Sequence, residues 1–321
     1  MNSDKKKRNL RIVFMGTPDF AVAGLSALVE KHYHIVGVIT APDKPAGRGR
    51  KLNESAVKRY AVEKGLKVLQ PANLKNESFL KELKLLRPNL QIVVAFRMLP
   101  KVVWQLPEFG TFNLHASLLP QYRGAAPINW VLINGEKKTG VTTFFIDDKI
   151  DTGAIITQKE TDIKHNDNAG KLYDRLMHLG AKLILQTVAL IENNQISTYI
   201  QPQFENLKIA PKIFKEDCKI NWTLSGMAIF NLIRGLSPYP AAWSYLKNGD
   251  DNIPIKIYEA NYHKKEHQMP LGRVVKTQRT IQIAVIDGYI ELIVIQLPGK
   301  RKMNTQDVLN GLKLKEDAFL R

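Results

Sequence analysis

The first forty residues contain the pattern that most restricts the fold of this 321-residue chain. Leu10–Met15 is a short apolar run, Phe20–Glu30 has helical spacing, and Ile35–Thr40 is a second apolar run. A strand, a helix and a strand within about thirty residues form a βαβ unit, which implies a parallel sheet. Only Gly16 follows the first strand, and the Gly-x-Gly-x-x-Gly fingerprint of dinucleotide-binding folds is missing, so the pattern does not predict NAD binding.

The rest of the chain predicts two domains, because 321 residues is long for a single hydrophobic core. Leu90–Phe96 is almost continuously apolar, as in a central buried strand, and Asn168–Asn193 has the spacing of a long amphipathic helix. From Ala242 onward, short strand patterns separated by turns suggest a small β-barrel. The predicted parts are an α/β domain with a mostly parallel sheet over residues 1–200, a linker over 201–215 and a barrel domain over 216–321.

The charge balance is strongly basic. Lys and Arg number 47 against 30 Asp and Glu, which gives a formal net charge of +17. This excess favours a polyanionic partner, nucleic acid before membrane, although a solvated surface in a lysine-rich proteome would give the same balance. No run reaches the roughly 18 to 20 apolar residues of a membrane helix, and we expect no signal or transit peptide before the first strand. The single cysteine, Cys218, excludes an intrachain disulfide, and we expect a cytoplasmic protein.

Polar groups suited to acyl transfer lie in the stretch Phe112–Gly124. Asn113 and His115 are two residues apart, so on a strand both side chains leave the same face. Asp151 follows in a turn over Asp147–Gly153. An amide donor, an imidazole and a carboxylate together can stabilise a tetrahedral oxyanion and move a proton. The alternative is an ordinary hydrogen-bonded pair at a sheet edge.

A basic segment over Pro42–Lys51 breaks the alternation of strands and helices. It contains two prolines, two glycines and no apolar periodicity, which predicts an exposed, mobile loop at the C-terminal end of a strand. Open α/β sheets bind ligands at that edge. Its basic residues are Lys44, Arg48, Arg50 and Lys51. The alternative is a solvated linker without a binding role.

The stretch Phe112–Gly124, together with Asp151, resembles the corresponding segments of the 10-formyltetrahydrofolate-dependent formyltransferases. The residues that carry the resemblance, in the order and spacing of that family, are Asn113, His115, Ser117-Leu118-Leu119-Pro120, Arg123-Gly124 and Asp151. Within the family, Gly16-Thr17-Pro18-Asp19-Phe20 and Pro42–Gly49 are similar to segments of members that act on methionyl-tRNA, and the similarity runs nearly end to end. It implies a Rossmann-like formyltransferase domain followed by an OB-like domain that binds tRNA.

The resemblance also implies the roles of the site residues. Asn113 and His115 would donate N–H groups to the oxyanion, and Asp151 would lie beside His115 and help to remove a proton from the attacking amine. 10-Formyltetrahydrofolate would be the co-substrate, with no metal and no covalent enzyme intermediate. Because three segments follow strand ends on one side of the sheet, we expect folate against them. These segments contain Phe96, Arg97, Met98, Leu99, Ser117, Leu118, Leu119, Pro120 and Asp147. Many family members have glycine at the position of Arg97.

The expected macromolecular partner is the initiator methionyl-tRNA, bound by a monomeric enzyme. The candidate contacts are Lys44, Arg48, Arg50, Lys51, Lys208 and Lys212. One alternative is a formyltransferase with the same chemistry that acts on a small amine, such as glycinamide ribonucleotide or an aminosugar. Another is an RNA-binding protein with a decayed catalytic site, which the joint presence of Asn113, His115 and Asp151 disfavours.

Overall fold

The computed structural model describes residues 7–46 and 51–321. The chain divides into two compact units, one formed by 1–124, 139–161 and 173–209, and the other by 125–138, 162–172 and 210–321. The elements in chain order, up to the end of the long sixth helix, are β1 (Ile12–Gly16), α1 (Asp19–Glu30), β2 (Ile35–Ile39), β3 (Lys44–Ala46), β4 (Lys51–Asn53), α2 (Ala56–Glu63), β5 (Val68–Leu69), α3 (Glu77–Leu85), β6 (Leu90–Val94), α4 (Lys101–Trp104), β7 (Thr111–His115), β8 (Arg123–Gly124), α5 (Pro127–Ile133), β9 (Lys138–Phe145), β10 (Ile155–Asp162) and α6 (Ala169–Glu192). The elements that follow are β11 (Ile209–Ala210), a 3₁₀ turn (Glu216–Cys218), α7 (Gly226–Leu236), β12 (Ala242–Asn248), β13 (Asp251–Lys264), β14 (Val274–Lys276), β15 (Ile281–Val285), β16 (Gly288–Gln296), β17 (Met303–Asn304), α8 (Thr305–Gly311) and β18 (Phe319–Leu320).

A seven-stranded sheet forms the centre of the first unit within the described residues, in the order β10-β9-β7-β6-β1-β2-β5. The pairs from β5 to β7 are all parallel, and β9 runs antiparallel to β7. Every residue of β1 and β6 is buried, as the continuous apolar runs predict. Val13 packs with Leu83 of α3 in one core cluster. The expected parallel α/β sheet is confirmed.

The second unit contains an antiparallel sheet in the order β14-β15-β16-β13-β12-β18. Its two edges meet, because Arg273, beside β14, bridges to Phe319 of β18, and the Val274 N–H donates to the Ala318 carbonyl at 3.0 Å. The sheet therefore closes almost completely, which removes the exposed strand edges. α7 packs on this barrel and contributes Ile229 and Ile233 to its core. The predicted OB-like barrel is confirmed.

One local prediction is wrong, and one helix was not predicted. Pro42–Lys51 is not a loop throughout, since Lys44, Pro45 and Ala46 pair antiparallel with Asn53, Leu52 and Lys51. An isolated two-stranded ribbon can accommodate a proline, because each strand has an unpaired edge that does not need its N–H. The sequence pattern also missed α8, whose seven residues are too few for a clear helical period.

Candidate active site

β7 places Asn113 and His115 at the C-terminal end of the parallel part of the sheet. Asn113 is paired with Val93 of β6 and Phe144 of β9, and His115 is paired with Thr142. Their spacing of two sends both side chains to the same face. His115 is 7% exposed, whereas Asn113 is half-buried. Leu114 lies on the opposite face, close to Gly180 of α6, where a β-carbon would lie 2.6 Å from its side chain.

The His115 imidazole is held by contacts at both ring nitrogens. Nε2 lies 2.8 Å from the Tyr122 carbonyl oxygen, and Nδ1 lies 3.7 Å from Oδ2 of Asp151. Since a carbonyl oxygen only accepts hydrogen bonds, Nε2 carries the hydrogen and the neutral ring has its free lone pair at Nδ1. Nδ1 is therefore the atom at which this ring can take or give a proton, and a carboxylate stands beside it.

Asp151 is fixed by its backbone as well as by its side chain. Its Oδ2 accepts a hydrogen bond of 2.9 Å from the Gly124 N–H, and its φ of +55° lies in the left-handed region. Asp and Asn tolerate that region better than most residues, but the conformation still needs support from its surroundings. Gly153 provides part of it, because a β-carbon there would lie 1.7 Å from the Phe145 carbonyl oxygen.

Gln201 supplies the rest of this support, and the sequence interpretation missed it. Its Nε2 donates to the carbonyl oxygens of Asp151 and Gly153, both at 2.9 Å. Its Oε1 accepts from Nε and Nη2 of Arg123, at 3.1 and 2.6 Å. The side chain is 5% exposed, so its four contacts replace water. Arg123 belongs to the string that carries the family resemblance, but Gln201 lies in a stretch interpreted as linker, where no periodicity marks it.

Asn113 is available for an external ligand. Among the described residues, none accepts from or donates to its side-chain amide. The amide is half-buried and lies on the same strand face as His115. An amide N–H at the C-terminal end of a strand can donate a hydrogen bond to a developing oxyanion.

The segment Ser117–Pro120 lies next to these groups, and its own polar atoms are largely used internally. The Ser117 hydroxyl donates to the Gln121 carbonyl at 2.7 Å. Thr142 donates its hydroxyl to the Ser117 carbonyl at 2.6 Å and accepts from the Leu119 N–H at 3.2 Å. Ser117, Leu119 and Pro120 are buried, and Leu118 is half-buried. These hydrogen bonds fix the backbone of the segment.

The other two predicted folate segments differ in exposure. Met98 is exposed, Phe96 is half-buried, and Leu99 is part of a core cluster. The exposed Arg97 donates from its guanidinium to the carbonyls of Pro71 and Ala72, and partial burial lowers its pKa. These two contacts use two of the five N–H donors of the guanidinium. The half-buried Asp147 accepts from the Thr152 hydroxyl at 2.7 Å, which braces the turn that carries Asp151.

The predicted tRNA contacts are dispersed along the chain. Lys44 is exposed in β3, and the backbone of Lys51 pairs in β4. Arg48 and Arg50 lie outside the described residues. Lys208 is exposed, and its carbonyl accepts from the Tyr122 N–H at 2.6 Å, which connects its backbone to the His115 site. Lys212 is also exposed and places its ammonium 5.4 Å from the centre of the Phe214 ring.

Within the described residues, no helix has the length and apolarity needed to cross a membrane. The same part of the chain contains no group of three or more His, Cys, Asp or Glu residues that could hold a metal ion. The pKa of Cys218 is raised by burial, and its thiol contacts the Phe214 carbonyl at 3.2 Å. Its surroundings are those of a packed side chain.

Comparison with known proteins identifies the class. A family described as formyl transferase matches residues 10–188, and the C-terminal domain of formyl transferases matches residues 212–313. The chain therefore belongs to the formyltransferase family and has both of the family's domains.

Within that family, the chain groups with the methionyl-tRNA formyltransferases. The protein of that name from Flavobacterium johnsoniae is 58% identical over 309 residues, which cover 96% of this chain and 98% of the relative. The one from Flavobacterium psychrophilum is 55% identical over 312 residues, covering 97% and 99%. Among solved structures, a sugar 3N-formyl transferase crystallised with dTDP and 5-N-formyl-THF has a TM-score of 0.65 at 22% identity, covering 92% of this chain and 100% of that one. At this identity the solved structure shows the shared fold alone.

Proposed function

We propose that this chain transfers the formyl group of 10-formyltetrahydrofolate to the free amino group of initiator methionyl-tRNA. The observation that carries the proposal is the placement of His115 Nδ1 3.7 Å from Asp151, on the strand face that also carries Asn113. Relatives that are 55% and 58% identical over nearly the whole chain, and are named for this activity, support it. A folate co-substrate fits the family, and one fold neighbour was crystallised with 5-N-formyl-THF.

In the reaction that this geometry supports, the methionyl amine attacks the formyl carbon as the free base. A C–N bond forms, and the formyl oxygen gains negative charge. The Asn113 amide donates to that oxygen, and His115 donates from Nδ1 when the ring is protonated, because Nε2–H already donates to the Tyr122 carbonyl. Asp151, whose Oδ2 lies 3.7 Å from Nδ1, accepts the proton that the amine loses, directly or through water. The bond to folate N10 then breaks, and N10 takes a proton as it leaves.

The chemistry requires no covalent enzyme intermediate, because an amine is already a competent nucleophile. The Ser117 hydroxyl donates to a backbone carbonyl and Cys218 is buried, which supports the absence of a nucleophilic role for either side chain.

We propose that folate lies against Phe96–Leu99, Ser117–Pro120 and Asp147, that no metal takes part, and that the enzyme is a cytoplasmic monomer. Folate-analogue density in a crystal at another place would contradict this placement.

A substrate comparison tests the function. The purified chain is incubated with 10-formyltetrahydrofolate and, separately, methionyl-tRNA, glycinamide ribonucleotide and an aminosugar nucleotide. We expect rapid formylation of methionyl-tRNA and little of the small amines. Faster reaction with a small amine would favour the alternative substrate class, and no formylation at all would favour an RNA-binding protein.

Alanine variants of the three site residues test the chemical assignment. Asn113→Ala, His115→Ala and Asp151→Ala should each lower kcat by at least about 10²-fold, the usual cost of losing one oxyanion donor, while tRNA binding is largely kept. The combined losses should be less than additive if the residues act as a unit. His178→Ala is the matched control, because His178 is exposed and its ring hydrogen-bonds to the Asp174 carbonyl at 2.7 Å. A His115→Ala enzyme that keeps more than about a tenth of wild-type kcat would contradict the assignment.

A further inference from the structure

The paired strands β3 and β4 lie between two short segments. Residues 40–43 lead from β2 into β3, and residues 54 and 55 lead from β4 into α2. The described parts of this ribbon carry Lys44, which is exposed, and Lys51. The orientation of the ribbon therefore depends on the contacts that hold these two segments together.

One side chain spans the two segments. The Lys58 ammonium, on α2, hydrogen-bonds to Oδ2 of Asp43 and lies 2.8 Å from Oε1 of Glu54. Asp43 precedes the ribbon and Glu54 follows it. The other carboxylate oxygen of Asp43 accepts from Gln70 Nε2 at 2.8 Å, and the same nitrogen donates to the Ala41 carbonyl at 2.8 Å. Lys58 and Gln70 thus fix the entry to the ribbon from both sides.

A second hydrogen bond also joins the two segments. The hydroxyls of Thr40 and Ser55 are 2.7 Å apart, and Thr40 is fully buried. Ser55 also caps α2, because its Oγ accepts from the Lys58 N–H at 3.0 Å. The residue that bridges the carboxylates is therefore held in place at its own backbone.

The Lys58–Asp43 pair is more enclosed than a usual surface ion pair. The side chains of Lys58 and Asp43 are 18% and 20% exposed. Their hydrogen bond lowers the pKa of the Asp43 carboxyl and raises that of the Lys58 amine, so both stay charged near neutral pH. Exposed ion pairs contribute little, whereas charge-assisted hydrogen bonds with limited water access fix geometry more strongly.

We propose that Lys58 is a positioning residue for methionyl-tRNA, which holds the β3–β4 ribbon in its binding orientation by bridging Asp43 and Glu54. The inference rests on the proposed function and adds to it a residue whose ammonium contacts Asp43 and Glu54, which lie on either side of the ribbon. Lys58 acts through the ribbon, so its loss changes tRNA recognition while the His115 site stays intact.

Steady-state kinetics of Lys58→Met test the proposal, with tRNA and folate varied separately. Methionine keeps much of the side-chain length and removes the charge. We expect KM for methionyl-tRNA to rise at least about tenfold, since small misplacements remote from the chemistry have effects of this size, while kcat and the KM for folate stay within about twofold. Lys58→Arg should recover most of the loss, because its fork can still reach two carboxylates. Lys67→Met is the matched control, since it removes the charge of an exposed lysine whose ammonium lies 3.0 Å from Glu82.

The outcomes separate this inference from the proposed function. If wild-type protein does not formylate methionyl-tRNA, the proposed function fails first. If wild type is active and Lys58→Met behaves like Lys67→Met, or lowers kcat in place of raising KM for tRNA, the positioning role is wrong and the function stands. Should Lys58→Met not fold, Glu54→Gln replaces it, because it weakens only the bridge to the far side of the ribbon. A KM for tRNA unchanged in that variant would also overturn the proposal.

Discussion

At the scale of single residues, the distribution of hydrogens on His115 decides how the site can work. The Tyr122 carbonyl occupies Nε2, so only Nδ1 can exchange a proton, and Asp151 is the carboxylate beside it. Neither the role of Tyr122 nor that of Gln201 follows from residue type. Gln201 matters because it holds the backbone of Asp151 in a left-handed conformation while it accepts from Arg123.

Gln201→Ala should therefore impair catalysis without direct contact with the substrate. We expect kcat to fall at least about tenfold, because Asp151 shifts relative to His115, with KM for both substrates changed little. The substitution also removes the hydrogen bond to the buried Gly153 carbonyl, and an unsatisfied buried group typically costs about 1 to 3 kcal/mol of stability. Kinetics and thermal unfolding measure the two effects. Gln203→Ala is the matched control in the same segment, since Gln203 is exposed. Equal kcat in the two variants would exclude the supporting role.

At the scale of elements, the turn between β9 and β10 determines where Asp151 can stand. The Phe145 N–H donates to the Ala154 carbonyl at 3.0 Å and closes the turn. Gly153 lies inside that closure, so its lack of a side chain is required by space. In the second unit, a glycine is likewise required by space at the start of α7, where a β-carbon on Gly226 would lie 2.1 Å from the Tyr262 ring. The Gly226 N–H donates to Oδ1 of Asp287 at 2.7 Å.

Gly153→Ala should remove most of the activity and lower the melting temperature. A β-carbon 1.7 Å from the Phe145 carbonyl oxygen forces the turn open, and close-packed interiors do not absorb such an overlap locally. We expect kcat to fall by about 10²-fold or more, as for a misplaced catalytic group. Circular dichroism and kinetics measure both effects. Gly311→Ala is the control, because a β-carbon there meets nothing within 4 Å. A fully active Gly153→Ala protein would show that the turn has room to relax.

Because of Tyr262, the free energy of unfolding of the protein should fall as the pH rises through the alkaline range. Burial and a hydrogen bond to Asp287 raise the pKa of Tyr262 to about 12. A folded pKa above the unfolded value of 10.0 means that the contribution is present below pH 10 and is lost as pH rises toward 12. Tyr262→Phe removes this contribution, so its unfolding free energy should fall less than that of wild type across this range. Denaturant unfolding at several pH values measures the difference. Parallel pH curves for the two proteins would contradict the shifted pKa.

At the scale of the whole molecule, the net charge of +17 favours a polyanionic substrate. Long-range attraction of this kind is screened by salt, and phosphate contacts release counterions when they form. Folate binding should depend little on the net charge, because it involves only a few groups at the site. Affinity for tRNA and affinity for folate should therefore respond differently to ionic strength.

Raising salt from about 50 to 200 mM should increase KM for methionyl-tRNA by at least about tenfold, with little effect on the KM for folate. Arg48→Ala should raise KM for tRNA at low salt and reduce the slope of log KM against log salt, because one phosphate contact is removed. Initial rates over a salt series provide both slopes. Equal slopes for Arg48→Ala and wild type would contradict a phosphate contact by Arg48.

The sequence by itself determined the parallel sheet, the barrel and the position of Asn113 and His115 on the same face of one strand. These features depend on local periodicity, which acts over a few residues and can be interpreted directly. Only the tertiary structure decided which atoms His115 can use and that Gln201 supports Asp151. It also decided that Arg97 donates to the Pro71 and Ala72 carbonyls and that Lys58 joins the two ends of the ribbon. The contacts of Gln201 with Asp151 and of Arg97 with Ala72 join residues 50 and 25 positions apart. Such partners depend on the path of the folded chain, because a buried polar group bonds to whichever complementary group the fold brings within reach.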